Sequence, residues 1–297
     1  MYSLTTMEKS ARKGIEGASI GDILLASGRL TMPDLHRIVS LQEKENILFG
    51  AAAVALGILT EDDVQWALSC QFSFPRPNED ESAISREVLV VHDPFAPQVE
   101  SFRSIRSGLI LSGAGKLVRA IALTSAGEGE GKTFIAANLA VVFAQLGSRT
   151  LLMDLNFRKP RVHEIFSMKN NTGASSLIIK RAFQEQAVQK TAIGSLDILP
   201  SGPMPPNPLE LLSWPDTKEL VRLLGAEYDV VIVDTPRFCG TADAMIVATM
   251  CDGALPVILK GKTRHGDFGQ LKKQLENAGV KILGAVMNEK AAVKNSR

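Results

Sequence analysis

The stretch VRAIALTSAGEGEGKTFIAANLAVVFAQ, residues 118–145, decides the fold. It opens on the apolar run Val118–Thr124, which reads as a strand. It closes on Lys132–Gln145, which reads as an amphipathic helix. Between them lies Ala126-Gly127-Glu128-Gly129-Glu130-Gly131-Lys132-Thr133. Strand, glycine-rich turn and helix in succession are the setting of a phosphate-binding loop. The glycines let consecutive amides turn toward one centre, and the helix N-terminus adds partial positive charge. In that reading Lys132 reaches the β- and γ-phosphates of a nucleotide, and the Thr133 hydroxyl holds Mg2+. The first position is Ala126 where glycine is usual. An ordinary strand-to-helix turn is the plainer reading, and Gly131-Lys132-Thr133 at the required register argues against it.

Working outward, the alternation continues on both sides. Strands are expected at 150–154, 196–199, 229–234, 253–259 and 281–287. Helices are expected at 99–111, 208–224, 241–249 and 266–277. Runs such as VVIV are apolar without alternation, as in strands buried on both faces of a parallel sheet. The pattern predicts a doubly wound, mostly parallel α/β P-loop domain over residues 99–290, followed by a polar tail, 291–297. Two strands end on acids, Leu-Leu-Met-Asp154 and Val-Ile-Val-Asp234. The carboxyl ends of such strands face the ligand crevice. One acid can hold Mg2+ through its waters, and the other can take a proton from an incoming hydroxyl. Helix capping is the plainer reading of either acid alone.

Upstream the composition changes. Residues 74–98 hold four prolines and the acidic run Glu79–Glu81, and read as a linker. Before it an internal repeat appears. Ile20-Gly21, Leu24, Gly28, Leu35, Val39 and Gln42 recur at constant offset as Phe49-Gly50, Ala53, Gly57, Val64, Leu68 and Gln71. Each unit reads as helix, glycine stop, threonine cap (Thr31, Thr60) and second helix. A small all-helical domain is expected over 19–73, behind a flexible N-terminus, 1–18.

Composition excludes other classes. The net charge of +1 gives no basic surface for nucleic acid. Cys70, Cys239 and Cys251 form no CxxC pair and no zinc set, and read as reduced thiols of a cytoplasmic protein. The longest apolar stretch, residues 47–59, falls short of the roughly 20 residues of a membrane helix. Four scattered histidines offer no metal spacing. Lys260, Lys262, Arg264 and His265 read as a solvated loop, or as a contact for an acidic segment of a partner.

Residues 99–289 resemble the bacterial P-loop tyrosine kinases of exopolysaccharide and capsule synthesis, and in particular the EpsG-type kinases of chain-length determination. The resemblance rests on the P-loop, on Asp154-Leu-Asn156-Phe-Arg158-Lys-Pro160 for the motif D-x-D-x-R, and on Val233-Asp234-Thr-Pro236. It rests also on Glu100-Ser-Phe-Arg103-Ser-Ile-Arg106 for E-x-x-R-x-x-R, and on GPMPPNPLELL from Gly202. It implies ATP as phosphoryl donor, with Gly127 to Phe134 around the phosphates and Asn288 hydrogen-bonding adenine. It implies Mg2+ at Thr133, Asp154 and Asp234, Asp154 as base, and Lys132 with Arg158 stabilising the transferred phosphoryl group. It implies a homo-oligomeric ring through Glu100, Arg103 and Arg106. It also implies recruitment to the inner face of the membrane by a Wzz-like chain-length determinant that activates the kinase.

Two departures stand out. Asn156 replaces the second aspartate, keeping its shape without its charge. The tail NEKAAVKNSR carries no tyrosine cluster; Tyr228 precedes a buried strand and reads as structural, and Tyr2 reads equally as an exposed acceptor or a passenger, which favours phosphorylation of another protein over self-phosphorylation. Two alternatives follow. One is a MinD- or ParA-like positioning ATPase, although Gly127 stands where those proteins carry a second lysine. The other is a non-catalytic nucleotide-binding adaptor. The helical repeat is similar to the N-terminal domain of type II secretion and pilus ATPases, where tandem motifs beginning Arg-Leu-Gly bind cyclic di-GMP. Here Ser19 and Leu48 stand at the arginine positions, which favours a docking module over a cyclic di-GMP site.

Overall fold

The computed structural model describes residues 19–71, 84–112 and 118–290. The chain divides into two units, residues 1–76 and 77–297.

In the first unit the repeat becomes four helices: α1 (Ile20–Ala26), α2 (Met32–Glu45), α3 (Phe49–Ala55) and α4 (Glu61–Gln71). Ser19 and Asp22 form a reciprocal capping box at α1. Thr60 and Asp63 do the same at α4, with Asp63 N–H donating to Thr60 Oγ1 at 3.1 Å and Thr60 N–H to Asp63 Oδ2 at 3.0 Å. Gly28 and Gly57 follow α1 and α3 at φ 72° and 64°, the left-handed stop that a side chain disfavours. The repeats interlock: α1 packs on α4 and α2 on α3. A Cβ on Gly21 would lie 3.0 Å from Leu35, and one on Gly50 would lie 2.6 Å from Val64. These pairs are repeat equivalents, so the same close approach is made twice. Ile23, Leu24, Ile38, Ala52, Ala53 and Ala67 fill the core between them.

The second unit begins with α5 (Leu89–His92) and α6 (Pro97–Ser112). Its sheet contains β1 (Ala120–Thr124), β2 (Thr150–Asp154), β3 (Gln189–Lys190), β4 (Leu196–Leu199), β5 (Val230–Asp234), β6 (Gly253–Leu259) and β7 (Val286–Asn288). The strand order is β3-β4-β2-β5-β1-β6-β7, parallel except for the edge strand β3. The helices are α7 (Lys132–Gln145), α8 (Val162–Ile165), α9 (Ala174–Ile178), α10 (Gln184–Ala187), α11 (Pro208–Ser213), α12 (Pro215–Glu227), α13 (Asp243–Met250) and α14 (His265–Asn277). Strand side chains alternate between faces. Ile121, Leu123, Leu152 and Ile232 meet α5 to α8, while Leu151, Met153, Val231 and Val233 meet α9, α11, α12 and α13. This is the doubly wound P-loop α/β sheet that the sequence predicts.

Several details differ from expectation. Residues 84–98 are not a linker. Val88, Val90 and Val91 are buried in the core of the second unit, and Ser85 N–H donates to the Ile165 carbonyl. The fully buried Asn138 of α7 holds this segment: it accepts from Val90 N–H and donates to the carbonyls of Glu87 and Phe134. The helix expected at 208–224 breaks at Trp214, because Pro215 has no amide to continue α11 and starts α12 instead. The last strand is confined to 286–288, preceded by a single bridge from Ile282 to Ala254. The N-terminal stretch 1–18, the segment 72–83 and the tail 291–297 lie outside the described residues. No helix of the described residues is long and apolar enough to cross a membrane.

Candidate active site

The sheet brings the motifs together. Central β5 lies between β1 and β2, so Asp234 stands beside the end of the strand that feeds the P-loop. In the parallel register Asp154 pairs with Asp234. Gly131 caps α7 in the left-handed conformation and makes no side-chain cap. The first amides of α7 therefore keep no side-chain partner at the cap, which suits an anion.

Lys132 is 7% exposed and donates from Nζ to Ser125 Oγ at 2.8 Å. Ser125 in turn donates to the Gly127 carbonyl at 2.7 Å, so lysine and loop are tied at the base of the cradle. Burial pulls the Lys132 pKa down, opposed by the charges of Asp234, Glu130 and Glu128. Thr133 donates from Oγ1 to Asp234 Oδ2 at 2.6 Å. Asp234 Oδ1 is buried and has no hydrogen-bond partner. Burial raises the Asp234 pKa against the pull of Lys132.

Asp154 is placed differently from the sequence reading. Its Oδ1 accepts from Asn156 N–H at 3.0 Å, and its Oδ2 from Arg161 N–H and Val162 N–H, both at 3.1 Å. It anchors the arm 156–162 with three of its roughly four acceptor sites. Burial first, and the Asp234 charge second, raise its pKa. Asn156 closes a turn on Lys159 through both its amide nitrogen and its oxygen. Arg158 forks onto the fully buried Asp243 at the start of α13, with Nε 2.5 Å from Oδ2.

Above this floor opens a cavity of about 530 Å3. Glu128, Gly129, Gly131, Lys132, Thr133, Phe134, Arg158 and Asn288 of the expected set line it; Gly127, Glu130 and the fully buried Asp154 and Asp234 do not. Sequence reading missed Glu87, Lys159, Arg161, Arg237, Thr241 and Lys290, which also line it. Lys159 bridges to Glu128. Gly127 spends its amide on the Glu130 carboxylate at 2.8 Å. Asn288 lines the cavity and its Nδ2 donates to the Glu130 carbonyl at 3.1 Å, against Gly131. The loop 260–264 is not simply solvated, since Lys262 holds the Glu128 carbonyl and Thr263 the Glu130 carboxylate.

Away from the cavity, Glu100 and Arg103 pair at 3.1 Å on α6. Arg103 also donates to the Pro94 carbonyl at 2.7 Å, and Arg106 to the Val142 carbonyl at 2.7 Å. Both arginines of the expected ring motif thus bind their own chain, and Glu100 keeps most of its surface. Tyr228 donates to Asp197 at 2.7 Å at the opposite end of the sheet, which is a structural bond. In the first unit Ser19 is used by its capping box and Leu48 is 81% exposed, so neither position supplies a cation.

A family model described as an AAA domain matches residues 118–266. The tyrosine-protein kinase YwqD of Bacillus subtilis is 42% identical over 215 residues, 72% of this chain and 91% of that one. The chain belongs to the bacterial tyrosine-protein kinases. The crystal structure of the chimerical protein CapA2B2 superposes on this kinase with a TM-score of 0.67 at 34% identity, over 78% of this chain and 100% of that one. The kinase domain of the Escherichia coli tyrosine kinase ETK superposes with a TM-score of 0.66 at 30% identity, over 71% and 83%. Membership sets this kinase apart from the positioning ATPases weighed above, and its enzyme class is protein-tyrosine kinase.

Proposed function

We propose that this kinase moves the γ-phosphoryl group of ATP to a tyrosine hydroxyl of a protein in exopolysaccharide or capsule synthesis. A membrane chain-length determinant would recruit and activate it at the inner face of the membrane. The observation that carries the reading is the glycine loop: it opens a helix with no side-chain cap, over a buried lysine and a threonine bonded to a strand-end acid.

Within that reading the loop residues that line the cavity, Glu128, Gly129 and Gly131 to Phe134, surround the phosphates, while Gly127 keeps its amide on Glu130. Lys132 moves from Ser125 to phosphate oxygens, a charge-assisted bond stronger than the one it leaves. Mg2+ fits at Thr133 and Asp234, because Asp234 Oδ1 is a buried acceptor without a donor. When bound, the ion neutralises charge on the phosphates. Arg158, forked onto Asp243, lines the cavity and is the proposed stabiliser of the transferred phosphoryl group. Asp154 is the proposed proton acceptor, and its amide bonds fix the arm that carries Asn156 and Arg158.

The test is phosphotyrosine formation with the membrane partner present. Lys132→Met abolishes it, and Asp154→Asn loses it while MgADP still binds. Wild-type levels of phosphotyrosine from Lys132→Met would reject the assignment. Nucleotide binding with neither phosphotyrosine on any partner nor phosphate release from ATP would favour the adaptor instead.

A further inference from the structure

Glu130 is a carboxylate inside a loop built to bind anions, and it is 2% exposed. A buried negative charge there opposes phosphate unless it is held for another purpose. Two neutral donors hold it. Gly127 N–H reaches Oε2 at 2.8 Å, and the Thr263 hydroxyl reaches Oε1. Thr263 Oγ1 itself accepts from Leu259 N–H at 2.9 Å, at the end of β6.

Two further side chains seize the loop from the same side. Lys262 Nζ donates to the Glu128 carbonyl, and Asn288 Nδ2 to the Glu130 carbonyl. The loop is therefore held from β6 and β7 as well as from its own ends. The bond from Gly127 to Glu130 closes a small ring over Glu128 and Gly129. That ring encloses one left-handed glycine, Gly129 at φ 68°, and adjoins the other, Gly131 at φ 96°. These two residues decide where the following amides point.

We propose that Glu130 and Thr263 form a brace that fixes the P-loop in the shape that receives a polyphosphate. Both are then positioning residues for phosphoryl transfer, an inference that rests on the nucleotide reading above. Thr263 does not line the cavity, so it acts through Glu130. The brace holds the amides that meet phosphates and leaves the nucleoside end untouched.

Calorimetric titration of the full chain with MgATP, MgADP and AMP tests it. Thr263→Val weakens MgATP and MgADP about ten-fold and AMP far less, and Thr263→Ser restores both. Glu130→Ala reproduces the loss, while Glu130→Gln, whose single oxygen can accept from Gly127 N–H as its amide donates to Thr263 Oγ1, recovers most of it. Adding Thr263→Val to Glu130→Ala costs nothing more, because the two act as one unit. Wild-type MgATP affinity in Thr263→Val overturns the brace, as does a loss that Thr263→Ser fails to rescue or that falls equally on AMP. Lys132→Ala is the separate control. Retained brace behaviour is not the issue there: equal MgATP binding by wild type and Lys132→Ala overturns the nucleotide reading and the brace with it.

Discussion

Gly131 meets two constraints at one Cα. Its φ of 96° is left-handed, and a Cβ there would stand 2.1 Å from Asn288 Nδ2. A side chain in left-handed backbone costs about 1–2 kcal/mol before any clash. Gly131→Ala is expected to weaken MgADP binding at least about ten-fold. Combining it with Asn288→Ala removes the clash and leaves the strain, so recovery should be partial; full recovery would show that strain adds nothing. The glycines, Lys132 and Thr133 were legible in the sequence because their contacts are local and their spacing is the geometry. Thr263 and Asp243 were not. Each bonds a residue far along the chain, and neither type nor spacing marks it.

At the scale of elements, α7 is held by more than its apolar faces. Asn138 sits at its centre with no exposed surface and ties it to residues 87–90. Asn138→Ala leaves Val90 N–H without that partner in a buried place, a penalty of about 1–3 kcal/mol for the orphaned group. The urea midpoint of the second unit should fall accordingly, and an unchanged midpoint would show that the segment is held by packing alone. The same contact explains why 84–98 was misread. Prolines and the acidic run dominate the composition of 74–98, while the partners of Val88, Val90 and Val91 lie on α7, beyond the reach of local pattern. The parallel strands and the alternation of helices were legible because each is a continuous apolar run.

At the scale of the whole molecule, the capping acids of the first unit and the strand-end acids of the second carry opposite acid–base signatures. Hydrogen bonds from Ser19 and Thr60 hold Asp22 and Asp63 below the usual carboxylate range. Such a group adds stability above its unfolded pKa, and that stability is lost as pH falls through the depressed value. Burial instead raises Asp154 and Asp234, so without a bound cation this pair's contribution to the stability of the second unit is lost as pH rises through and above the ordinary carboxylate range. The chain has two tryptophans, Trp66 in the first unit and Trp214 in the second. In a Trp214→Phe background, Trp66 fluorescence should report acid unfolding of the helical unit, and Asp63→Asn should flatten that dependence. An identical acid midpoint in both would remove Asp63 from the account.

The exchanged packing of α1 on α4 and α2 on α3 has a consequence for how such a unit can arise and be lost. Half of it, residues 19–45, would present a face that only another half can cover. Made alone, it would have to dimerise, and its folding would depend on dilution. Joining the halves in one gene gives each a permanent companion at an effective concentration of roughly millimolar order, so the module folds however scarce the protein is in the cell.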